Sequence, residues 1–218
     1  MRQERETLHY ELPEVLPLFP LPGALLLPGG QLPLNIFEPR YLRMVDDALA
    51  GGRMIGMIQP RNGMADEKPP LYGVGCAGRL TGFNETDDGR YLITLTGIKR
   101  FRLAEELAAD TPYRQANADF TVFEADDIVD PTAELVDRER LEDAMHHYLD
   151  AEGLKTDWEA VDEAPTQALV SSLAMGCPFA PNEKQALLEA KSTDVRAECL
   201  IALMEMSSAG ENGDTTLQ

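Results

Sequence analysis

The sequence predicts an α+β fold in which a β-rich part is followed by a helical one. Through residue 123 the apolar positions form short runs broken by proline and glycine, the mark of strands joined by tight turns. Beyond residue 124 the apolar positions recur instead at helical spacing. Apolar and charged residues make up 44% and 26% of 218 residues, proportions that allow a buried core. Strands first and helices second point to two packed subdomains, not to alternating βα units. The expected division is a flexible segment at 1–12, a β-rich part at 13–123, a helical part at 124–206 and a disordered tail at 207–218.

Residues 15–19 and 24–27 read as short strands, with Pro20, Pro22 and Gly23 turning the chain between them. Leu32, Leu34 and Ile36 alternate with Pro33 and Asn35, a half-buried strand whose proline belongs at an edge or a bulge. Glu38-Pro39-Arg40-Tyr41 then opens a helix, because proline is suited to a first turn where its missing N–H would be unpaired anyway. Leu42, Val45, Ala48 and Leu49 continue it to Gly51-Gly52. Residues 54–58 form the next strand, with a polar loop at 60–70. A meander over 71–123 turns at Asp87-Asp88-Gly89 and ends on a strand carrying Phe120 and Val122. In the helical part Asp130-Pro131 caps a helix with Leu141, Met145, Tyr148 and Leu149 on one face. Trp158 anchors a short segment, and further helices carry Leu169 to Leu173, then Leu187 and Leu188. The last, from Ser192, is expected to point Val195, Cys199, Leu203 and Met206 inward.

Charge and cysteine usage narrow the function classes. The net charge of −19 is concentrated, since residues 124–163 hold 15 acidic and 3 basic side chains. Such a field repels nucleic acid and anionic membrane, and reads as a solvated helix face. No run approaches the roughly 18–20 apolar residues of a membrane span. The N-terminus, charged in both signs, lacks the apolar core of a secretory signal, so the expected compartment is the cytoplasm. Cys76, Cys177 and Cys199 lack C-x-x-C spacing and are expected as reduced, inert thiols.

Several separated stretches resemble the Lon protease N-terminal domain family, including bacterial proteins made of that domain alone. They are Leu16-Pro17-Leu18-Phe19-Pro20-Leu21, Leu34-Asn35-Ile36-Phe37-Glu38-Pro39-Arg40-Tyr41 and Gly75-Cys76-Ala77-Gly78-Arg79-Leu80. Asp88-Gly89-Arg90-Tyr91 and Lys184-Gln185-Ala186-Leu187-Leu188-Glu189, followed by Arg196-Ala197-Glu198, complete the set in the family's order. The resemblance implies a PUA-like β pseudo-barrel with one inserted helix, followed by a helical bundle. It also implies a non-catalytic module that recognises polypeptide segments, as an adaptor or quality-control factor. Lon's ATPase requires G-x-x-x-x-G-K-[ST], which is absent here, and its serine–lysine peptidase needs a further domain that 218 residues do not hold.

The remaining motifs favour structure over chemistry. Gly73-x-Gly75-x-x-Gly78 matches the dinucleotide fingerprint, but the residues after it read as strand instead of the helix that motif requires. His146-His147 point about 100° apart on a helix and do not chelate one metal as an i, i+4 pair does. Ser171-Ser172 lacks both an elbow motif and a base. No catalytic residue, metal set or cofactor site is therefore assigned. Phe37, Glu38, Arg40 and Tyr41 are the candidate peptide contacts, because aromatic residues and arginine dominate binding hot spots. RNA binding is the alternative that a PUA-like fold suggests; Lys99, Arg100 and Arg102 speak for it and the overall charge against it.

Overall fold

The computed structural model describes residues 11–64, 68–128 and 130–213. All but the last two residues of the expected flexible segment 1–12, and the end of the expected tail, lie outside them. The β-rich part consists of β1 (Val15–Pro20), β2 (Gln31–Ile36), α1 (Pro39–Ala50), β3 (Met54–Met64), β4 (Leu71–Glu85), β5 (Tyr91–Leu107) and β6 (Arg114–Asp119). The strands run in the order β2-β5-β4-β3-β1-β6, and a further β5–β6 pairing closes the sheet on itself. Only β1 and β3 are parallel; the other pairs are antiparallel. The mixed sheet with its helices has the α+β character expected.

The long β5 makes closure possible. Its first residues pair with β2, its last with β6, and β4 follows it through the bend between them. At the bend Gly78 faces Gly97 while Ala77 faces Lys99, so Ile98 is the extra residue of a bulge. Gly97 exchanges main-chain hydrogen bonds with Gly29 and Gly30, and a Cβ there would lie 2.1 Å from the Leu27 carbonyl oxygen. This close passage explains why residues 24–27 form no strand. Leu25, Leu26 and Leu27 are buried from several sides in a connection against the barrel, so their apolar run reports burial and not pairing.

Other boundaries also shift. β3 runs to Met64 where a loop was expected, because main-chain pairing such as Arg61 N–H to the Pro70 carbonyl needs no apolar side chain. β6 ends before Phe120, since the Asp119 carboxylate accepts from both the N–H and hydroxyl of Thr121 and diverts the backbone into a 3-10 helix, Thr121–Asp127. Asp130 caps only a short 3-10 helix, Pro131–Leu135, while Asp137 caps α2 (Arg138–Ala151). Then follow α3 (Trp158–Glu163), α4 (Thr166–Gly176), α5 (Pro181–Glu189) and α6 (Thr193–Gly213).

α6 departs from expectation twice. It continues past Ser207, whose neighbour Ser208 returns a hydroxyl hydrogen bond to the Met204 carbonyl. Its buried face carries Arg196, Ala197, Leu200, Ile201 and Met204, whereas Val195 and Met206 are 48% and 69% exposed. One core cluster joins Phe19, Tyr41 and Leu25 of the β-rich part to Leu141, Val170 and Leu200 of the helices. A smaller cluster around Leu16, Leu18, Ile58 and Phe101 forms a second core among the strands.

Candidate functional site

Strand alternation turns Ile36 inward, and the next residue, Phe37, is left 64% exposed. Glu38 is the extended residue before α1, and its carbonyl accepts the N–H groups of Tyr41 and Leu42. Its carboxylate does not cap the helix but accepts from Arg40, at 2.8 Å from Nε and 2.7 Å from the second contacting nitrogen. The Arg40 guanidinium in turn lies 4.5 Å from the Tyr41 ring centre. Tyr41 is only 5% exposed, its ring 4.3 Å from that of Phe19, and burial pushes its hydroxyl pKa up against the opposing charge of Arg40. The four candidate residues are thus adjacent but divide in role. Phe37, Glu38 and Arg40 reach solvent, and Tyr41 packs the helix onto β1.

A groove of about 700 Å³ opens at the other end of α1. Pro13, Val15 and Pro17 form one wall, and Arg53, Met54 and Tyr113 lie across from them. Asp47, also on the lining, accepts the Tyr113 hydroxyl at 2.8 Å and Arg43 Nε at 3.0 Å. These two donors hold the Asp47 carboxyl below the usual carboxylate range. Arg53 has φ 60°, the left-handed region, and no other described non-glycine residue has a positive φ. Its N–H bonds the Ala48 carbonyl and its own carbonyl receives Leu80 N–H, so the conformation is fixed from both sides.

Sequence reasoning missed a set of buried polar residues that fasten the helices to the barrel. Gln59 on β3 accepts from Gly23 N–H and donates to the Pro181 carbonyl and to Gln185. Gln185 on α5 is within bonding distance of the Val74 carbonyl of β4. Arg100 on β5 donates to Asp126 and to the Leu188 and Ala190 carbonyls, and Arg196 on α6 donates to the Leu187 and Ala190 carbonyls. Lys184 reaches the Met175 carbonyl. The signal was present: Lys184, Gln185 and Arg196 stand at helix positions where spacing calls for apolar residues, which marks polar groups with dedicated partners.

The other motifs resolve as structure. Gly75 and Gly78 lie within β4, where a Cβ would meet the Phe101 ring at 2.6 Å or Leu26 at 2.7 Å. His146 stacks on Trp158 with ring centres 3.4 Å apart. Lys99 and Arg100 are buried against Asp127 and Asp126, so of the basic strand cluster only Arg102 is exposed. Among the described residues no group of three His, Cys, Asp or Glu could hold a metal ion, and no helix is long and apolar enough to cross a membrane.

Comparisons with known proteins agree with this architecture. Lon protease 2 of Myxococcus xanthus is 31% identical over 113 residues, which are 50% of this chain and 13% of that protein. Lon protease of Flavobacterium johnsoniae is 32% identical over 117 residues, 52% of this chain and 14% of that protein. The chain thus matches only a small part of these relatives' length. A crystal structure of a Lon N-terminal domain protein from Xanthomonas campestris superimposes with TM-score 0.58 at 25% identity, covering 86% of this chain and 97% of that one. The N-terminal domain of Mycobacterium avium complex Lon protease shares the fold, with TM-score 0.62 at 13% identity over 88% and 98% of the two chains. Residues 15–206 match the family described as the ATP-dependent protease La (LON) substrate-binding domain, and the chain belongs to that family.

Proposed function

We propose that this protein is a non-catalytic module that binds polypeptide segments, acting as an adaptor or quality-control factor. The observation that carries the reading is the match of residues 15–206 to a substrate-binding domain, a stretch that takes in every strand and helix except the end of α6. Exposed Phe37 supports it. A large aromatic held at a strand–helix junction, beside the Glu38–Arg40 pair, offers apolar contact with polar groups at its rim. The burial of Lys99 and Arg100 in ion pairs leaves only Arg102 of the basic strand cluster exposed, which supports a polypeptide over RNA as the partner.

The test is calorimetric titration with a permanently unfolded, carboxymethylated client protein and with the same client folded. The unfolded client binds and the folded one does not. Phe37→Ser weakens binding about tenfold, the effect of losing a moderate hot spot, and leaves stability within about 0.5 kcal/mol. Equal binding of both client forms, or of neither, contradicts the proposal.

A further inference from the structure

We propose that the outer edge of β2 receives an extended polypeptide segment, with apolar residues at alternate positions and basic or uncharged residues between them. This rests on the polypeptide-binding reading above and states how a client is held beside Phe37.

Hydrogen bonds on both sides of β5 fix which way the main chain of β2 points. Gly97 N–H donates to the Gly30 carbonyl, one residue before Gln31 faces Thr96. In an antiparallel pair the main-chain groups of successive residues point to opposite sides, so Leu32, Leu34 and Ile36 also turn theirs toward β5. The other side of β5 agrees. Thr86 N–H donates to the Arg90 carbonyl, which sends the groups of Leu92 and Thr94 to β4 and leaves those of Tyr91, Ile93 and Leu95 for β2. Gln31, Pro33 and Asn35 therefore point outward. β2 pairs with no strand except β5, and among the described residues no turn, loop or side chain bonds these three main-chain groups. The N–H groups of Gln31 and Asn35 and the carbonyls of all three are matched by the backbone of any extended chain, which is the chemistry of strand addition.

The two faces beside this edge select the side chains. Leu32 and Leu34 pack against the main core but are only half-buried, so apolar residues of an added strand that fall next to them extend that core. On the outer face Asn35, Leu92 and Asn84 stand in one row across β2, β5 and β4, and Pro33 faces Thr94; none of these is charged. Leu92 is 46% exposed, and exposed Phe37 follows directly on β2. Edge strands commonly carry charge against unwanted pairing, yet β2 holds none, and only Pro33, which lacks an N–H, interrupts it. The charges at the end of the face are acidic on balance. Arg90 pairs with Asp88 and Arg40 with Glu38, whereas Glu85 and Asp87 make no ion pair among the described residues. With a net charge of −19, the chain favours a basic or uncharged segment there and repels a second copy of itself.

The test uses the full chain and a labelled peptide alternating leucine with lysine, read by fluorescence anisotropy beside the unfolded client. Asn35→Pro removes an outward N–H and no hydrogen bond to β5. It weakens binding of both probes about tenfold, whereas Asn35→Thr, which keeps the N–H, stays within about twofold of wild type. A peptide alternating leucine with glutamate binds about tenfold more weakly than the lysine one. Amide hydrogen exchange on the wild-type protein supplies a readout that does not depend on the proline variant folding. Exchange at Asn35 is faster than at Leu34 and Ile36, and it slows when the lysine peptide is added. Unchanged exchange at Asn35, a folded Asn35→Pro variant that binds like wild type, or a glutamate peptide that binds as tightly as the lysine one overturns the proposal; if Phe37→Ser still weakens client binding, the polypeptide-binding reading stands without it. Failure of wild type to bind either probe overturns both. A dimer seen by light scattering and lost in Asn35→Pro assigns the edge to a second copy, and that also overturns the proposal.

Discussion

Asp126→Ala is the most informative change to the joint between barrel and helices. The Asp126 side chain is 7% exposed and that of Arg100 4%, so both charges are out of water. The carboxylate accepts from Arg100 at 2.7 Å and 3.0 Å and from the Arg100 main-chain N–H at 3.0 Å. The guanidinium also lies 4.7 Å from the Phe123 ring centre and donates to two carbonyls at the end of α5. Removing the carboxylate strands a buried cation, which costs roughly 3–5 kcal/mol. That is a fifth or more of the roughly 5–15 kcal/mol that holds a domain folded. In urea, at a slope of about 2 kcal/mol per molar, the midpoint falls by about 2 M. The double variant Arg100→Met with Asp126→Ala recovers part of the loss, because no charge is then left unpaired. Circular dichroism and tyrosine fluorescence should follow one transition in every variant, since a shared core joins the two parts. A loss below about 1 kcal/mol in Asp126→Ala, or a double variant weaker than the sum of the singles, refutes this account.

Three further outcomes are expected. Burial raises the Asp130 carboxyl pKa, but hydrogen bonds from Thr193 and Thr132 outweigh it and bring the value from 3.8 down to about 2. The folded-state pKa is depressed, so the stabilisation is present above about pH 3.8 and lost as pH falls through 2; the urea-midpoint gap between wild type and Asp130→Asn should close over that window, and a constant gap would contradict it. Burial pushes the Cys76 thiol far up and Cys177 up to about 11, so iodoacetamide at pH 8 should reach half-buried Cys199 first, as read by mass spectrometry; early labelling of Cys76 in the folded protein speaks against its burial. On α6, Val195→Ser and Met206→Ser should stay within about 0.5 kcal/mol in thermal melts while Leu200→Ala costs about 2–5 kcal/mol, and the reverse ranking would restore the face that spacing alone suggests.

How much was legible depended on whether a local signal had a single structural meaning. Pro39 at a helix start, Gly89 in a hairpin turn at φ 78° and Pro33 on the outermost strand each satisfy a backbone requirement that other residues meet poorly. Those elements were read correctly. α6 was not, because apolar residues stand on both sides of it. Val195, Cys199, Leu203 and Met206 make one stripe at helical spacing, and Ala197, Leu200, Ile201 and Met204 make another. The choice between them is made by Arg196, which must reach the carbonyls of Leu187 and Ala190, and that is a tertiary fact. Leu25 to Leu27 illustrate the same limit, since apolar character reports burial without saying whether the backbone pairs. Of the candidate residues, sequence reading picked Phe37, Glu38, Arg40 and Tyr41 by residue type at an expected strand–helix junction, where the structure sets them side by side. It had no means of finding the groove, whose walls come from residues 13–17, 53–54 and 113 and are brought together only by closure of the barrel.

α1 fixes the distance between Phe37 and the groove at its other end. Tyr41 packs its first turn on Phe19, Asp46 accepts the Tyr91 hydroxyl from β5, and Asp47 accepts the Tyr113 hydroxyl. Contacts along its whole length hold the helix as a rigid strut on the barrel. Phe37 precedes its first residue, and the groove lies at its last turn. Twelve residues at about 1.5 Å each separate them by roughly 18 Å. An extended chain rises about 3.3 Å per residue, so it needs about six residues to bridge that span. If a client of the kind proposed touched both Phe37 and the groove, a shorter segment would reach one but not the other and lose the gain in affinity that a second, tethered contact brings. An unfolded client offers long extended stretches in many registers, whereas a folded one presents few. A requirement for an extended stretch of that length would favour an unfolded client over a folded one, which is the discrimination the proposed titration measures.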